Sequence, residues 1–383
     1  MLEHPFDAVR WEDLRARQSA KWRVYPPDVL PAWVAETDFP LAEPIRRVLH
    51  AAVDLGDAGY ATRGDLAAAF ADWAALHWGW LLEGAETRLV VDVVTGIAEL
   101  LKLASEPGDR VVIDPPVYPP FASTIARLGR VVAPVPLAAG AGGWALDLDA
   151  VAQAYRAGAR VHLLCSPHNP TGIVHPRETL VALAELARAH DVWVISDEVH
   201  APLTLPGSTH VPFATVSDAA ATRAIVLSSA SKTWNLAGLR TALLVATGDA
   251  PRELLARLPP DLPYHAGHFG VLASVAAFRE GEPYRAQLLE VLDRNRRLLG
   301  DLLREHLPGV RYVPPQAGYL AWLDFRALGL RDDPARHLLE HGRVALSAGP
   351  PFGSQGQGFA RLNIGTTAAL LREAVARMAQ ALA

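Results

Sequence analysis

Short apolar runs alternate with longer segments of helical periodicity through most of the chain after residue 45. The runs are rich in Val, Leu and Ile, and they fill consecutive positions, which is typical of strands buried on both faces. Seven runs are predicted as strands: Leu89 to Val94, Arg110 to Asp114, Val131 to Val135, Arg160 to Cys165, Val192 to Ser196, Ala224 to Ser228 and Ala242 to Ala246. This alternation predicts a three-layer α/β fold, with a doubly wound, mainly parallel seven-stranded sheet between layers of helices.

The pattern changes at both ends of the chain. Residues 1–44 are rich in Trp, Pro and charge, which predicts an irregular arm laid over a larger body. Beyond a proline cluster, a helical stretch runs from about His265 to His306, interrupted at Gly281. Strands at Tyr319 to Phe325 and Ala360 to Ile364 and a helix at Ala368 to Leu382 are predicted next. We therefore predict the arm (1–44), a large α/β domain (45–280) and a smaller α+β C-terminal domain (281–383).

Composition and charge narrow the function classes. Half of the 383 residues are hydrophobic and 20% are charged, which is typical of a globular protein. A net charge of −5 offers no positive field for nucleic acid or an acidic membrane surface. The sequence has no membrane-helix or signal-type segment, so we expect a cytoplasmic protein. Cys165 is the single cysteine and cannot form an internal disulfide, and no ligand spacing predicts a metal site.

Polar residues follow several predicted strands, at the sheet edge where open α/β folds bind ligands. Gly96 starts a helix that could bind a phosphate, although an ordinary turn explains this short motif better. Asn169 lies between two prolines, which favours equally a fixed hydrogen-bonding amide and a simple turn. Asp197 follows an apolar strand and needs a partner, which could be a ligand, a salt bridge or a helix cap.

Lys232 carries the strongest chemical signal. The chain has 36 basic residues, and a direct count finds that Lys21, Lys102 and Lys232 are its three lysines. A primary amine can form a Schiff base with an aldehyde and can act as a base, whereas a guanidinium does neither readily. Nearby hydroxyls at Ser229 and Ser231 suit a phosphate group. This context favours a chemical role for Lys232 over a surface charge.

These motifs, in this order, resemble the fold-type I pyridoxal 5′-phosphate enzymes, and specifically the class I and II aminotransferase superfamily. The resemblance implies that Lys232 binds the cofactor covalently and acts as the catalytic residue. It also implies that Asp197 pairs with the pyridine nitrogen, and that Asn169 contacts the phenolic oxygen and the substrate. Arg361 resembles the arginine that binds the substrate carboxylate.

The resemblance assigns further residues to the cofactor and implies a homodimer with its active sites at the subunit interface. Tyr118 would stack on the ring, and His200 stands where many aminotransferases carry Tyr. The phosphate contacts that it implies are Gly96, Ile97, Ser229, Ser231 and Arg240. Tyr60 resembles a tyrosine that reaches the phosphate of the neighbouring subunit.

Within the superfamily the chain is most similar to the MalY/PatB group of C–S β-lyases. The similarity rests on residues 19–22, 30–39 and 358–363, and on His200. The chain departs from that group at Arg23, at Glu36-Thr37 and at Trp234. The resemblance implies a C–S β-lyase that cleaves L-cystathionine or another S-substituted L-cysteine to a thiol, pyruvate and ammonia. An aminotransferase is the alternative, because the same residues serve both reactions.

Overall fold

A seven-stranded sheet forms the centre of the large α/β unit. The computed structural model describes residues 4–82, 86–140 and 143–383. The strands are, in chain order, β1 (Leu30–Pro31), β2 (Glu86–Val90), β3 (Arg110–Ile113), β4 (Val131–Pro134), β5 (Ala138–Gly140), β6 (Gly143–Ala145), β7 (Ala159–Cys165), β8 (Trp193–Asp197), β9 (Ala224–Ser228), β10 (Ala242–Ala246), β11 (Arg311–Tyr312), β12 (Leu320–Asp324), β13 (Val344–Ala345), β14 (Ser347–Ala348) and β15 (Phe359–Asn363). The central sheet has the order β2-β10-β9-β8-β7-β3-β4. Its pairings are parallel except those of β10, which is antiparallel to both neighbours.

Helices cover both faces of this sheet. The α-helices are α1 (Trp11–Ala16), α2 (Ala20–Arg23), α3 (Glu43–Leu55), α4 (Leu66–Trp78), α5 (Val93–Ala104), α6 (Pro120–Arg127), α7 (Leu148–Arg156), α8 (Arg177–Ala189), α9 (Asp218–Arg223), α10 (Asp249–Ala256), α11 (His268–Glu280), α12 (Glu282–His306), α13 (Pro334–Gly342) and α14 (Ala368–Leu382). Strand residues alternate between two buried clusters, so that Val194 lies in one cluster and its neighbour Ile195 in the other. The predicted three-layer, mainly parallel α/β fold is therefore confirmed.

The first predicted strand, Leu89 to Val94, lies too far toward the C-terminus, since the structure has β2 at Glu86–Val90. β2 ends at Val90, and Val93 and Val94 form the first turn of α5. The side chain of Asp92 accepts a hydrogen bond from the Thr95 N–H at 2.7 Å and so caps the helix. The β-branched run Val93-Val94 resembles a strand in sequence, but the N-cap decides its conformation.

The C-terminal part forms a second, four-stranded sheet with the order β11-β12-β15-β14. The predicted strands there match β12 and β15 to within a residue at each end, and the predicted closing helix matches α14. The long helical stretch is divided into α11 and α12 at Gly281, as expected. The domain boundaries at residues 44 and 280 stay a prediction.

The N-terminal arm has more regular structure than the sequence predicts. It contains α1, α2 and β1, and β1 pairs in parallel with β13 through Leu30 and Val344. After β1, residues 33–38 cross toward the central sheet without forming a helix or strand. Among the described residues, none of the helices combines the length and apolar character that crossing a bilayer requires.

Candidate active site

A cleft of about 260 Å³ opens at the carboxyl ends of β7, β8 and β9. It is lined by nine of the residues singled out in the sequence: Tyr118, Asn169, Asp197, His200, Ser229, Ser231, Lys232, Arg240 and Arg361. Neighbouring parallel strands end at the same edge, and the loops after them converge there. The fold therefore brings together residues that are up to 243 positions apart in the sequence, as Tyr118 and Arg361 are.

Lys232 lies on the turn after β9, with its amine inside the cleft. Its Nζ donates a hydrogen bond to the Ala35 carbonyl at 3.2 Å. No carboxylate of the described residues lies within ion-pair distance of it. Burial, and next the positive charge of Arg361, lower the pKa of Lys232 to about 8, although Asp197 and Glu36 oppose this shift. At neutral pH a minority of the amine is therefore neutral, a much larger fraction than for an ordinary lysine, and this fraction is available as a nucleophile or base.

Asp197 is the last residue of β8 and is almost fully buried. Its Oδ1 accepts a hydrogen bond from the Val199 N–H at 3.2 Å. Burial raises the pKa of Asp197 to about 6, although that hydrogen bond and the positive Lys232 lower it. A cation placed against this carboxylate would favour its ionised form, because it would offset the desolvation.

His200 lines the same part of the cleft. Burial, and then the positive charges of Lys232 and Arg361, lower the pKa of His200 to about 3. The imidazole is therefore neutral at physiological pH, with one ring nitrogen able to donate and the other able to accept a hydrogen bond.

Arg361 projects from β15 of the smaller sheet into the cleft. It donates hydrogen bonds to Asn169 Oδ1 at 2.9 Å, to the Trp33 carbonyl at 3.1 Å and to the Ser347 hydroxyl at 3.1 Å. Its guanidinium also lies 5.0 Å from the centre of the Phe352 ring. Burial lowers the pKa of Arg361 to about 10, so it stays protonated at neutral pH. Its Nε has no hydrogen-bond partner among the described residues, which leaves donor capacity for an anion.

Asn169 and Tyr118 form the wall next to Arg361. The Asn169 N–H donates to Cys165 Sγ at 3.3 Å, which ties the loop to the end of β7. The ring of Tyr118 packs edge-on against Phe121 with 5.9 Å between centroids. Burial, followed by the negative charge of Asp197, raises the pKa of Tyr118, so its hydroxyl stays neutral.

The opposite end of the cleft offers hydroxyls, a guanidinium and a helix N-terminus. Ser229 donates to the Thr241 carbonyl at 2.6 Å and accepts from the Ser231 N–H at 3.1 Å. Arg240 forms an ion pair of 2.6 Å with Asp92, the N-cap of α5. An anion here would meet both the positive end of the α5 dipole and Arg240.

Gly96 and Ile97 lie on α5 but do not line the cleft. The Gly96 N–H bonds to the Asp92 carbonyl within the helix, and Ile97 is buried in the core. A Cβ on Gly96 would lie 2.9 Å from a methyl group of Leu244, so the glycine lets α5 pack closely on the sheet. Val93 and Val94, one turn earlier, line the cleft in their place.

Tyr60 is also outside the cleft of its own chain. It is 84% exposed, and its ring meets that of Tyr264, itself 57% exposed, at 6.2 Å. Its assignment to a neighbouring subunit stays a prediction.

A model of the family "Aminotransferase class I and II" matches residues 59–378, which span most of the chain and nearly all of the cleft. The chain belongs to this family.

Several proteins similar to this chain carry lyase names. One relative is a Mycobacterium leprae protein that is provisionally named cystathionine β-lyase. It is 43% identical to this chain over 404 residues, which cover 100% of this chain and 99% of the relative. Cystathionine β-lyase PatB of Bacillus subtilis is 35% identical, with 93% of each chain covered. The crystal structure of the pyridoxal phosphate-bound C–S lyase of Staphylococcus hominis is 25% identical, with a TM-score of 0.90 and 98% of each chain covered.

The residues of the cleft fit pyridoxal phosphate. An amine without a carboxylate partner, a buried carboxylate that a cation would stabilise, and an anion-binding end lie in one cavity. Reasoning from sequence missed Asp92, Val93 and Val94 because it extended β2 through them. An Asp three residues before Thr95 is an N-cap signal that could have placed the helix start correctly.

Proposed function

We propose that this protein is a pyridoxal phosphate-dependent C–S β-lyase, which cleaves L-cystathionine or another S-substituted L-cysteine to a thiol, pyruvate and ammonia. The observation that carries the proposal is the buried Lys232 amine, held in one cleft with Asp197 and Arg361. The names of full-length relatives support the lyase reaction over other reactions of the family.

Each wall of the cleft has a part in holding the cofactor. Lys232 would bind it covalently, Asp197 would pair with the ring nitrogen, and Tyr118 would lie against the ring. Asn169 and His200 would contact the ring's oxygen side. Its phosphate would be bound by Ser229, Ser231, Arg240 and the first amides of α5. Bound pyridoxal phosphate supplies an electron sink that stabilises negative charge at the substrate's α-carbon.

The chain's own residues orient the substrate and move the proton. Arg361 binds the α-carboxylate, which competes for the donors that now contact Trp33 and Ser347. The substrate's amino group would take the place of Lys232 on the cofactor and so free the lysine amine. The freed amine, whose pKa in the cleft is about 8, would then take the proton from the α-carbon and hold it at Nζ. Val34 and Ala35 line one side of the cleft and limit access of water. Loss of the thiolate from the β-carbon then completes the elimination.

One assay tests the reaction. Purified holoenzyme with L-cystathionine is expected to release thiol and pyruvate in equal amounts, and Lys232→Ala is expected to release neither. Absence of pyruvate with cystathionine and with every S-alkyl cysteine tested would overturn the lyase proposal.

Amino-group transfer is a second candidate, because the matching family model covers that activity and the same Lys, Asp, Asn and Arg serve it. The two reactions differ in whether the electrons leave through the β-carbon or return to the cofactor with a proton. A single turnover that leaves the cofactor in its amino form, restored by a keto acid, would favour transfer over elimination.

We further propose a cytoplasmic homodimer that takes Tyr60 across the subunit boundary. The strong exposure of Tyr60 and Tyr264 outside their own cleft supports this arrangement. Sedimentation of the holoenzyme at the mass of two chains is the expected result, and a stable monomer with full activity would contradict it.

A further inference from the structure

Residues 33–38, which we name the strap, cross the cleft without belonging to any helix or strand. Each carbonyl from Trp33 to Thr37 accepts a hydrogen bond from at least one side chain. The donors are Arg361 and Ser347 for Trp33, Asn363 for Val34, Lys232 and Tyr319 for Ala35, Lys21 and Asn363 for Glu36, and Asn235 and Arg17 for Thr37. A buried carbonyl needs a partner, and here the side chains supply what a sheet would otherwise give. The position of the strap is therefore set by side chains, among them Lys232 and Arg361, which the proposed function also uses.

Lys21 makes the most deeply buried of these contacts from the arm. Its amine forms an ion pair of 2.7 Å with Asp38 and donates to the Glu36 carbonyl at 3.0 Å. Lys21 is 1% exposed and Asp38 is 2% exposed. Because water screens this buried ion pair little, the pair holds the arm and the strap firmly together.

Two neighbours strengthen the attachment of the arm to the strap. The Ser19 hydroxyl donates to the carboxylate of Glu36, the same residue whose carbonyl accepts a hydrogen bond from Lys21. Arg17 donates to the Asp38 carbonyl at 2.9 Å. The motif Ser19-Ala20-Lys21 thus holds the C-terminal half of the strap, while Lys232 contacts its middle at Ala35.

We propose that Lys21 is a positioning residue, which holds the strap through Asp38 and Glu36 so that the Ala35 carbonyl meets the Lys232 amine. This inference rests on the proposed function, in which Lys232 carries the proton. The carbonyl of Ala35 orients Nζ, and the bond between Lys21 and Glu36 fixes the adjoining peptide. Lys21 acts through the strap and touches neither cofactor nor substrate.

The test separates positioning from simple burial of a charge. Lys21→Met alone leaves Asp38 buried without a counter-charge, which threatens folding. The double variant Lys21→Met/Asp38→Leu removes both charges and keeps apolar volume, so its thermal midpoint is expected near that of the wild type. Lys102→Met is the matched control, because Lys102 is half exposed on α5 and pairs with Glu99.

Two readouts are taken on the folded holoenzymes. We expect amide hydrogen exchange at residues 34–38 of the double variant to be about 10-fold faster than in the wild type, because the strap loses its charged anchor. We expect kcat for the lyase reaction to fall about 10-fold, because Lys232 is misaligned. Lys102→Met is expected to change neither.

If the strap of the double variant exchanges at the wild-type rate, or if kcat stays within about twofold of it, Lys21 has no positioning role. Faster exchange in a protein whose wild type cleaves no S-substituted cysteine would instead overturn the proposed function and leave the anchoring of the strap intact. The two failures are therefore distinguishable.

Discussion

Arg361 Nη1 donates a hydrogen bond of 2.9 Å to Asn169 Oδ1, and this bond joins β15 of the smaller sheet to the loop after β7 of the central sheet. The proposed carboxylate-binding residue is therefore held in place by a residue proposed to contact the cofactor. Binding of a carboxylate at Arg361 would therefore be coupled through this bond to the loop that carries Asn169.

Replacing Arg361 tests whether its paired donors bind the substrate. Arg361→Lys keeps the charge but loses the planar set of donors, so we expect kcat/KM to fall about 10- to 100-fold, equivalent to roughly 1.5–3 kcal/mol. Steady-state kinetics with L-cystathionine measure this. Arg188→Lys is the control, since Arg188 is exposed and pairs with Glu185 on α8. Equal kinetics for the Arg361 variant and the wild type would contradict the assignment.

The lowered pKa of Lys232 predicts how the apoprotein takes up its cofactor. Only the neutral amine attacks the aldehyde, so the rate of uptake rises with pH and levels off above a pKa of about 8. Stopped-flow absorbance after mixing apoprotein with pyridoxal phosphate measures the rate. In Arg361→Met the plateau is expected at higher pH, because the positive charge that lowers the pKa is gone. A wild-type rate still rising steeply at pH 9 would contradict the prediction.

The raised pKa of Asp197 predicts a cost in stability. A carboxyl group with a higher pKa in the folded than in the unfolded state binds more protons when folded, so stability falls as pH rises from about 4 to about 6. Asp197→Asn removes this cost, and the apoprotein of the variant is expected to be about 2–3 kcal/mol more stable at pH 7.5. Chemical denaturation of both apoproteins at pH 4 and pH 7.5 measures the difference. Activity is expected to be lost, and a difference that does not depend on pH would refute the pKa argument.

The exposure of Tyr60 leads to a complementation test. Tyr60→Ala and Lys232→Ala are each expected to have strongly reduced lyase activity. If Tyr60 serves the neighbouring subunit, mixed dimers contain one site with both native residues, and co-refolding the variants restores part of the activity. Co-refolding Tyr264→Ala with Lys232→Ala is the comparison, because Tyr264 is an exposed ring that lies next to Tyr60. No recovery on mixing would show that Tyr60 serves its own chain or neither.

Much of the fold follows from local sequence pattern. Apolar runs such as Ala224–Ser228 and Ala242–Ala246 form strands at the predicted positions, because a strand buried on both faces needs consecutive apolar residues. The first strand was misplaced because Val93 and Val94 favour either conformation, and the capping bond of Asp92 decides between them.

The candidate site, like the fold, was predictable from the sequence only in part. The sequence by itself determined which chemical groups stand at the ends of strands, and among them the one lysine, Lys232, suited to covalent chemistry. Only the tertiary structure placed the Ala35 carbonyl against that lysine, 197 residues away, and set Lys21 and Asp38 behind it. Hydrophobic periodicity indicates which face of a helix or strand is buried. It does not indicate which distant residues pack against that face, because this depends on how segments far apart in the sequence are placed in the fold.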